Sequence, residues 1–213
     1  MELSLSNEVT YKAQELVVAL NDLEKEVTES MFPLTPLIER IIDDVRPLCN
    51  GVDDNPTEVL KSQYEAIMWH FKRTNYVQAV TMSQEWIISA FALKLNVPSS
   101  NFILRECIRW KINAPGYPLS NKNSPPNIAK DFDNIPDHII QKLNSMHTLP
   151  EGFIRWIQNQ WEPLKNVRNF LNHAGATENE HIEDLTINST NARDRVNRVK
   201  MSMLAFYQLM NIK

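Results

Sequence analysis

The sequence predicts an all-α fold, a bundle of about eight helices, and three observations carry that prediction. Apolar residues recur at spacings of three and four through most of the chain, with no convincing alternating strand and no internal repeat. Clusters of Pro, Asn, Ser and Gly divide the chain into segments of helical length. Only 4 of the 213 residues are glycine, which disfavours a turn-rich β architecture or a phosphate-cradling loop, and no Walker or Rossmann fingerprint occurs. The length fits one domain, with an N-terminal helical hairpin to about residue 55 and a helical core over 56–213.

The elements follow in order. Residues 11–30 place Leu16, Leu20, Leu23 and Val27 at helical spacing. Pro33 and Pro36 open a second helix through Cys49, with Leu37, Ile38, Ile41, Ile42 and Val45 as its apolar face. Asn50 to Pro56 is a turn, and Pro56 suits the first position of a third helix that runs to about Thr74 and buries Leu60, Tyr64, Ile67, Met68 and Phe71. Tyr76 to Leu95 is apolar nearly all round, so it is expected at the centre, and Pro98 blocks its continuation. A fifth helix over 101–112 is capped by Ser99 or Ser100. The stretch 113–136, rich in Pro, Ser and Asn, is expected as a long surface excursion. A short helix over 137–146 precedes a long one that starts near Leu149-Pro150-Glu151. That helix carries Phe153, Ile154, Ile157, Trp161, Leu164 and Leu171 on one stripe, is kinked at Pro163 and stops at Ala174-Gly175. An acidic connection follows, and Thr190 or Asn191 caps a last helix to Met210.

Composition narrows the function classes. Hydrophobic content of 43% and charged content of 23% are ordinary for a globular protein. A net charge of −4 rules out the basic footprint of a duplex-coating protein but leaves room for a local basic cleft that grips a few unpaired nucleotides. The first residues lack a signal peptide, and the most apolar window, 86–95, is too short to span a bilayer, so a cytoplasmic protein is expected. Cys49 and Cys107 form no ligand motif and are expected as reduced, buried thiols. No His/Asp/Glu cluster with metal-ligand spacing occurs, and no cofactor is expected. His70, between Trp69 and Phe71, is expected at the core or its boundary, whereas His138, His147 and His181 lie near loops. Met201, Met203 and Met210 are expected to fill core gaps.

The chemistry-bearing stretch is Arg168-Asn169-Phe170-Leu171-Asn172-His173, at the end of an otherwise core-forming helix. It resembles the Arg-x4-6-His motif of the HEPN superfamily of helical ribonucleases, in which a polar residue follows the Arg as Asn169 does here. Tyr64 to Ala92, YEAIMWHFKRTNYVQAVTMSQEWIISAFA, is similar to the helical region of the CARF–HEPN ribonucleases that accompany type III CRISPR systems, with Tyr76, Gln78, Ala79 and Glu85 at the matching positions. The similarity covers about residues 60–211. The sensor domain of that family, which binds cyclic oligoadenylate, has no counterpart here because no βαβ pattern occurs. The resemblance therefore implies an excised effector domain, a standalone homologue, or a subunit whose regulator, a sensor or an antitoxin, is a separate partner.

Arg168, His173 and Asn169 are the catalytic candidates. RNA supplies its own 2′-hydroxyl nucleophile, so cleavage needs a proton acceptor, a proton donor and charge stabilisation, and no metal. An imidazole with an ordinary pKa of about 6.5 moves protons at neutral pH, and a guanidinium offers a fork matched to phosphate oxygens. Five helical steps rotate about 140°, so Arg168 and His173 do not share a face of an ideal helix, whereas Asn169 and His173 do. One motif supplies one histidine for two proton transfers. A homodimer with both motifs on one groove, acting on single-stranded RNA, meets that need. Asn172, Arg193, Arg195, Arg198, Arg105 and Arg109 are the substrate-binding candidates, with Lys200 beside them on the last helix and Trp110 next to Arg109. The plainer alternatives are solvated helix faces carrying ordinary ion pairs, and a helical module that binds a protein or RNA without cutting it. A HEPN toxin held by an antitoxin is a third reading.

Overall fold

The structure, a computed structural model, describes residues 2–26, 34–49, 55–98, 100–120, 122–145, 151–172 and 189–210. All regular elements among them are helical: α1 (Glu2–Glu26), α2 (Thr35–Val45), α3 (Pro56–Lys72), α4 (Tyr76–Lys94), α5 (Phe102–Asn113), α6 (Pro126–Ala129), α7 (Asp137–Asn144), α8 (Glu151–Asn172) and α9 (Ser189–Met210). Single 3-10 turns at Arg46–Leu48 and Phe132–Asn134 complete them. The predicted all-α bundle is what the chain forms. Val27, the Asn50 turn, Ser99, Leu149-Pro150, Ala174-Gly175, the acidic connection, His147 and His181 lie outside the described residues, as does the side chain of Phe153.

The chain separates into two compact units, residues 1–74 and 75–213, with the division after α3. In the first unit α1 and α2 pack on each other and on the 3-10 turn that also receives α3. Ile38 and Ile42 anchor α2, but Leu37 and Ile41 of the expected apolar face are exposed, as are Leu16 and Leu23 of α1. Three- and four-residue periodicity identifies a helix but not which part of its stripe finds a partner. Pro56 takes the first turn of α3, where Asn55 Oδ1 accepts the Thr57 N–H at 3.0 Å. The Asp44 carbonyl accepts the Trp69 indole N–H at 2.6 Å, and the Asp44 carboxylate pairs with Lys72 and Arg73. His70 Nδ1 is buried without a hydrogen-bond partner, and burial pushes the imidazole below its usual range.

In the second unit α4 is the central element, packed against α5, α8 and α9. Its residues Ala79, Val80 and Trp86 through Ala92 are buried, with Trp86 edge-on to Phe206 of α9 at 5.6 Å. Ser83 and Ser89 return their hydroxyls to the carbonyls of Ala79 and Glu85, which satisfies them inside an apolar helix. The helix ends in a Schellman arrangement. Asn96 takes φ 50°, its N–H reaching Leu93 O at 3.0 Å, and the Val97 N–H reaches Ala92 O at 2.8 Å. The cap of α5 is Asn101, not Ser99 or Ser100, since Asn101 Oδ1 accepts the Leu104 N–H. Thr190 and Asn191 fall inside α9, one to two residues past its start.

The 113–136 stretch departs from the expected surface excursion. Leu119, Ile128 and Ile135 are buried, Asn144 brackets Leu119 through both its N–H and its carbonyl, and Lys111 reaches the carbonyls of Pro115 and Tyr117. Prolines and amides dominate its composition, but three apolar side chains and two polar clamps, one local at Lys111 and one long-range at Asn144, fix it to α5 and α7. Of the methionines, Met203 and Met210 fill the core as expected, whereas Met201 is exposed.

Candidate functional site

Arg168 stands in the last two turns of α8, a helix that runs through Pro163 and is anchored by Ile157, Trp161, Leu164 and Val167. That anchored stripe turns the next residue toward α4. There Arg168 Nη1 donates to Gln84 Oε1 at 2.8 Å, while Nε and Nη2 donate to Asn169 Oδ1 at 3.2 and 2.8 Å. Gln84 is only 4% exposed. Two amide oxygens thus hold three of the five guanidinium N–H groups. No carboxylate among the described residues pairs with Arg168. Asn172 closes α8, but its side chain and the whole of His173 lie outside the described residues.

One residue along α4, the outcome is opposite. Glu85 Oε2 accepts from Arg105 Nη2 and Oε1 from Arg109 Nη2, both at 2.7 Å, and Arg109 also pairs with Glu106. Ser89 Oγ accepts a further N–H of Arg105 at 2.9 Å. Two cations meet two carboxylates in a partly buried cluster. Arg105 and Arg109, taken from the sequence as phosphate grips, are engaged by protein carboxylates and serve to fasten α5 to α4. Of the positions matched to the CARF–HEPN helix, Ala79 is buried and Gln78 is exposed at the start of α4. The amide that meets the motif arginine is Gln84.

On α9, Arg193 and Arg198 are exposed and Arg195 is half-buried. Arg195 and Arg198 border a cleft between α8 and α9, together with Trp156, Asn159, Gln160 and Asn166. Other ionisable groups lie elsewhere. Burial, aided by the Glu106 charge, pushes the Cys107 thiol up to about 12. Cys49, half-buried and not fully buried as expected, is also raised by burial. Lys111 is 2% exposed, donates to the Pro115 and Tyr117 carbonyls and lies over the Trp110 ring, and burial lowers its pKa. His138 is exposed. Among the described residues no three His, Cys, Asp or Glu side chains gather into a metal-holding group, and no helix is long and apolar enough to cross a membrane.

No protein-family model, no curated protein and no solved structure matches the chain.

Sequence reasoning missed Gln84. A helix apolar on every side gives no periodic signal for which polar residue turns toward which neighbour, and the Gln84–Arg168 contact spans 84 positions.

Proposed function

We propose that this chain is a metal-independent endoribonuclease of the HEPN kind that cleaves single-stranded RNA at a groove shared by two copies, in the service of CRISPR antiviral defence. The observation that supports this reading is the way Arg168 is held. Among the described residues the guanidinium is fixed by neutral amides alone, and two of its N–H groups have no partner there, which suits a cation that meets phosphate oxygens. A purely structural arginine at this depth is ordinarily matched by a carboxylate, as Arg105 and Arg109 are.

In this mechanism the 2′-hydroxyl loses its proton to one His173 imidazole and its oxygen attacks the adjacent phosphorus. Arg168 stabilises the negative charge gathering on the phosphorane oxygens. The bond to the 5′-oxygen then breaks, and the partner copy's imidazolium protonates that leaving group, giving a 2′,3′-cyclic phosphate and a free 5′-hydroxyl.

The test is digestion of an end-labelled single-stranded RNA in EDTA. Cleavage leaving 2′,3′-cyclic ends is expected, reduced about 100-fold or more by His173→Ala and by Arg168→Ala at unchanged circular dichroism. Absence of cleavage across the concentration range in which the chain self-associates overturns the reading.

A further inference from the structure

The cleft between α8 and α9 has a chemistry that the catalytic motif does not use. It encloses about 360 Å³, at the lower end of the range of small-ligand sites. Its floor is apolar, formed by Leu164, Val167, Val199 and Met203, all buried. Trp156 forms a rigid wall, since it stacks on Phe206 at 4.2 Å and its indole N–H donates to the Ser202 carbonyl at 3.2 Å. Gln160 is likewise fixed, accepting from the Ser202 hydroxyl at 2.6 Å. The remaining polar groups of the lining are the ones with capacity to bind. Neither Asn159 nor Asn166 hydrogen-bonds a described residue through its side chain, and Arg195 and Arg198 form no ion pair with a described residue.

Charge points the same way. Among the described residues Glu162 is the only carboxylate of the lining, and Lys165 pairs with it at 2.7 Å. Two guanidiniums therefore dominate the mouth of the cleft in a chain whose net charge is negative. Pro163 adds one more feature: lacking an N–H, it leaves the Asn159 carbonyl without its helical donor at the cleft wall. An apolar slot lined with primary amides and a bare carbonyl, with two forks at its rim, matches a nucleotide. The base lies against the floor with its polar edge toward Asn159 and Asn166, and the phosphate meets Arg195 and Arg198.

We propose that this cleft is a subsite for one nucleotide of a single-stranded RNA, adjoining the Arg168 end of α8. It rests on the ribonuclease reading for its choice of strand, and binding and cleavage are measured separately so that the two stand or fall apart. The full chain carrying His173→Ala is titrated into a fluorescein-labelled single-stranded oligoribonucleotide at several salt concentrations. Arg195→Glu/Arg198→Glu is expected to weaken binding at least ten-fold and to flatten the log–log salt dependence by about 0.7, the slope of one lost phosphate contact on a single strand. Lys94→Glu/Lys122→Glu changes the net charge equally at exposed sites outside the cleft, and is expected to have less than a threefold effect. Asn159→Ala/Asn166→Ala is expected to weaken binding while leaving the salt slope unchanged.

Equal losses from the two charge reversals, or no RNA binding at all, would overturn the subsite. A free nucleoside monophosphate that binds more tightly than the oligonucleotide would overturn its assignment to a strand. If RNA binding depends on Arg195 and Arg198 but the unmutated chain cuts nothing in EDTA, the cleft stands and the nuclease reading falls. Cutting combined with binding indifferent to both arginines gives the reverse.

Discussion

Gln84 and Glu85 are neighbours on one helix, and each holds guanidinium from a different partner helix. Gln84 positions Arg168 of α8 by a single bond to a neutral oxygen. Glu85 engages Arg105 and Arg109 of α5 with a full negative charge. The first arrangement keeps a cation orientated and electrically available. The second, with Glu106 beside it, matches two cations with two carboxylates and fastens two helices. Similar donors and similar distances thus serve opposite ends, and what separates them is whether the acceptor is ionised.

Exchanging the acceptors tests that contrast most strongly. Gln84→Glu places a carboxylate on Arg168 and is expected to lower RNA cleavage roughly 10- to 100-fold, the scale of losing one preorganised electrostatic contact, without lowering the melting temperature. Glu85→Gln is expected to do the converse. It leaves Arg105 and Arg109 short of a counter-charge and costs about 1–3 kcal/mol in denaturant unfolding, less than a fully buried pair because these side chains keep some solvent access. The same outcome for both variants would mean that the two sites do not differ in kind.

Lys111 sharpens the comparison as a third mode, a buried cation held by backbone carbonyls beside the Trp110 ring. Lys111→Met removes the charge but strands the Pro115 and Tyr117 carbonyls, and urea titration is expected to show a loss of about 1–3 kcal/mol. The smallest effects lie in alkaline solution, where two residues of α5 act in opposite directions. The folded Lys111 releases its proton below the ordinary 10.5, so the unfolded chain binds more protons in that window and stability rises with pH up to 10.5. The folded Cys107 keeps its proton to about 12 against an ordinary 9.0, so stability falls as pH climbs above 9.0, by at most about 1.4 kcal/mol per pH unit. Thermal melts of Lys111→Met and Cys107→Ala across pH 8 to 10.5 separate the two slopes, and each variant should lose only its own.

Some of this was legible in the residues. Pro56 after Asn55 marks the start of α3, and Pro98 lies just past the turn that ends α4. A strongly apolar composition placed Tyr76–Leu95 at the centre. Periodicity was a poorer guide to burial in α1 and α2, where Leu16, Leu23, Leu37 and Ile41 stay exposed. It failed in 113–136, where a few buried anchors outweigh a loop-like composition. At the candidate site the sequence singled out Arg168 and Asn169 but not Gln84. It offered Arg105 and Arg109 as phosphate grips because a spacing of four shows a shared face and says nothing of the carboxylates opposite.

The amino-acid order alone determined that this chain is helical, where most helices begin and end, and which helix has no polar side. Those properties depend on contacts within a turn or two, and local residues specify them. Only the tertiary structure decided that Arg168 meets an amide while Arg105 and Arg109 meet an acid, and that Arg195 and Arg198 face an amide-lined cleft. Such pairings join residues tens of positions apart, and packing settles them through the rotation of one helix against another.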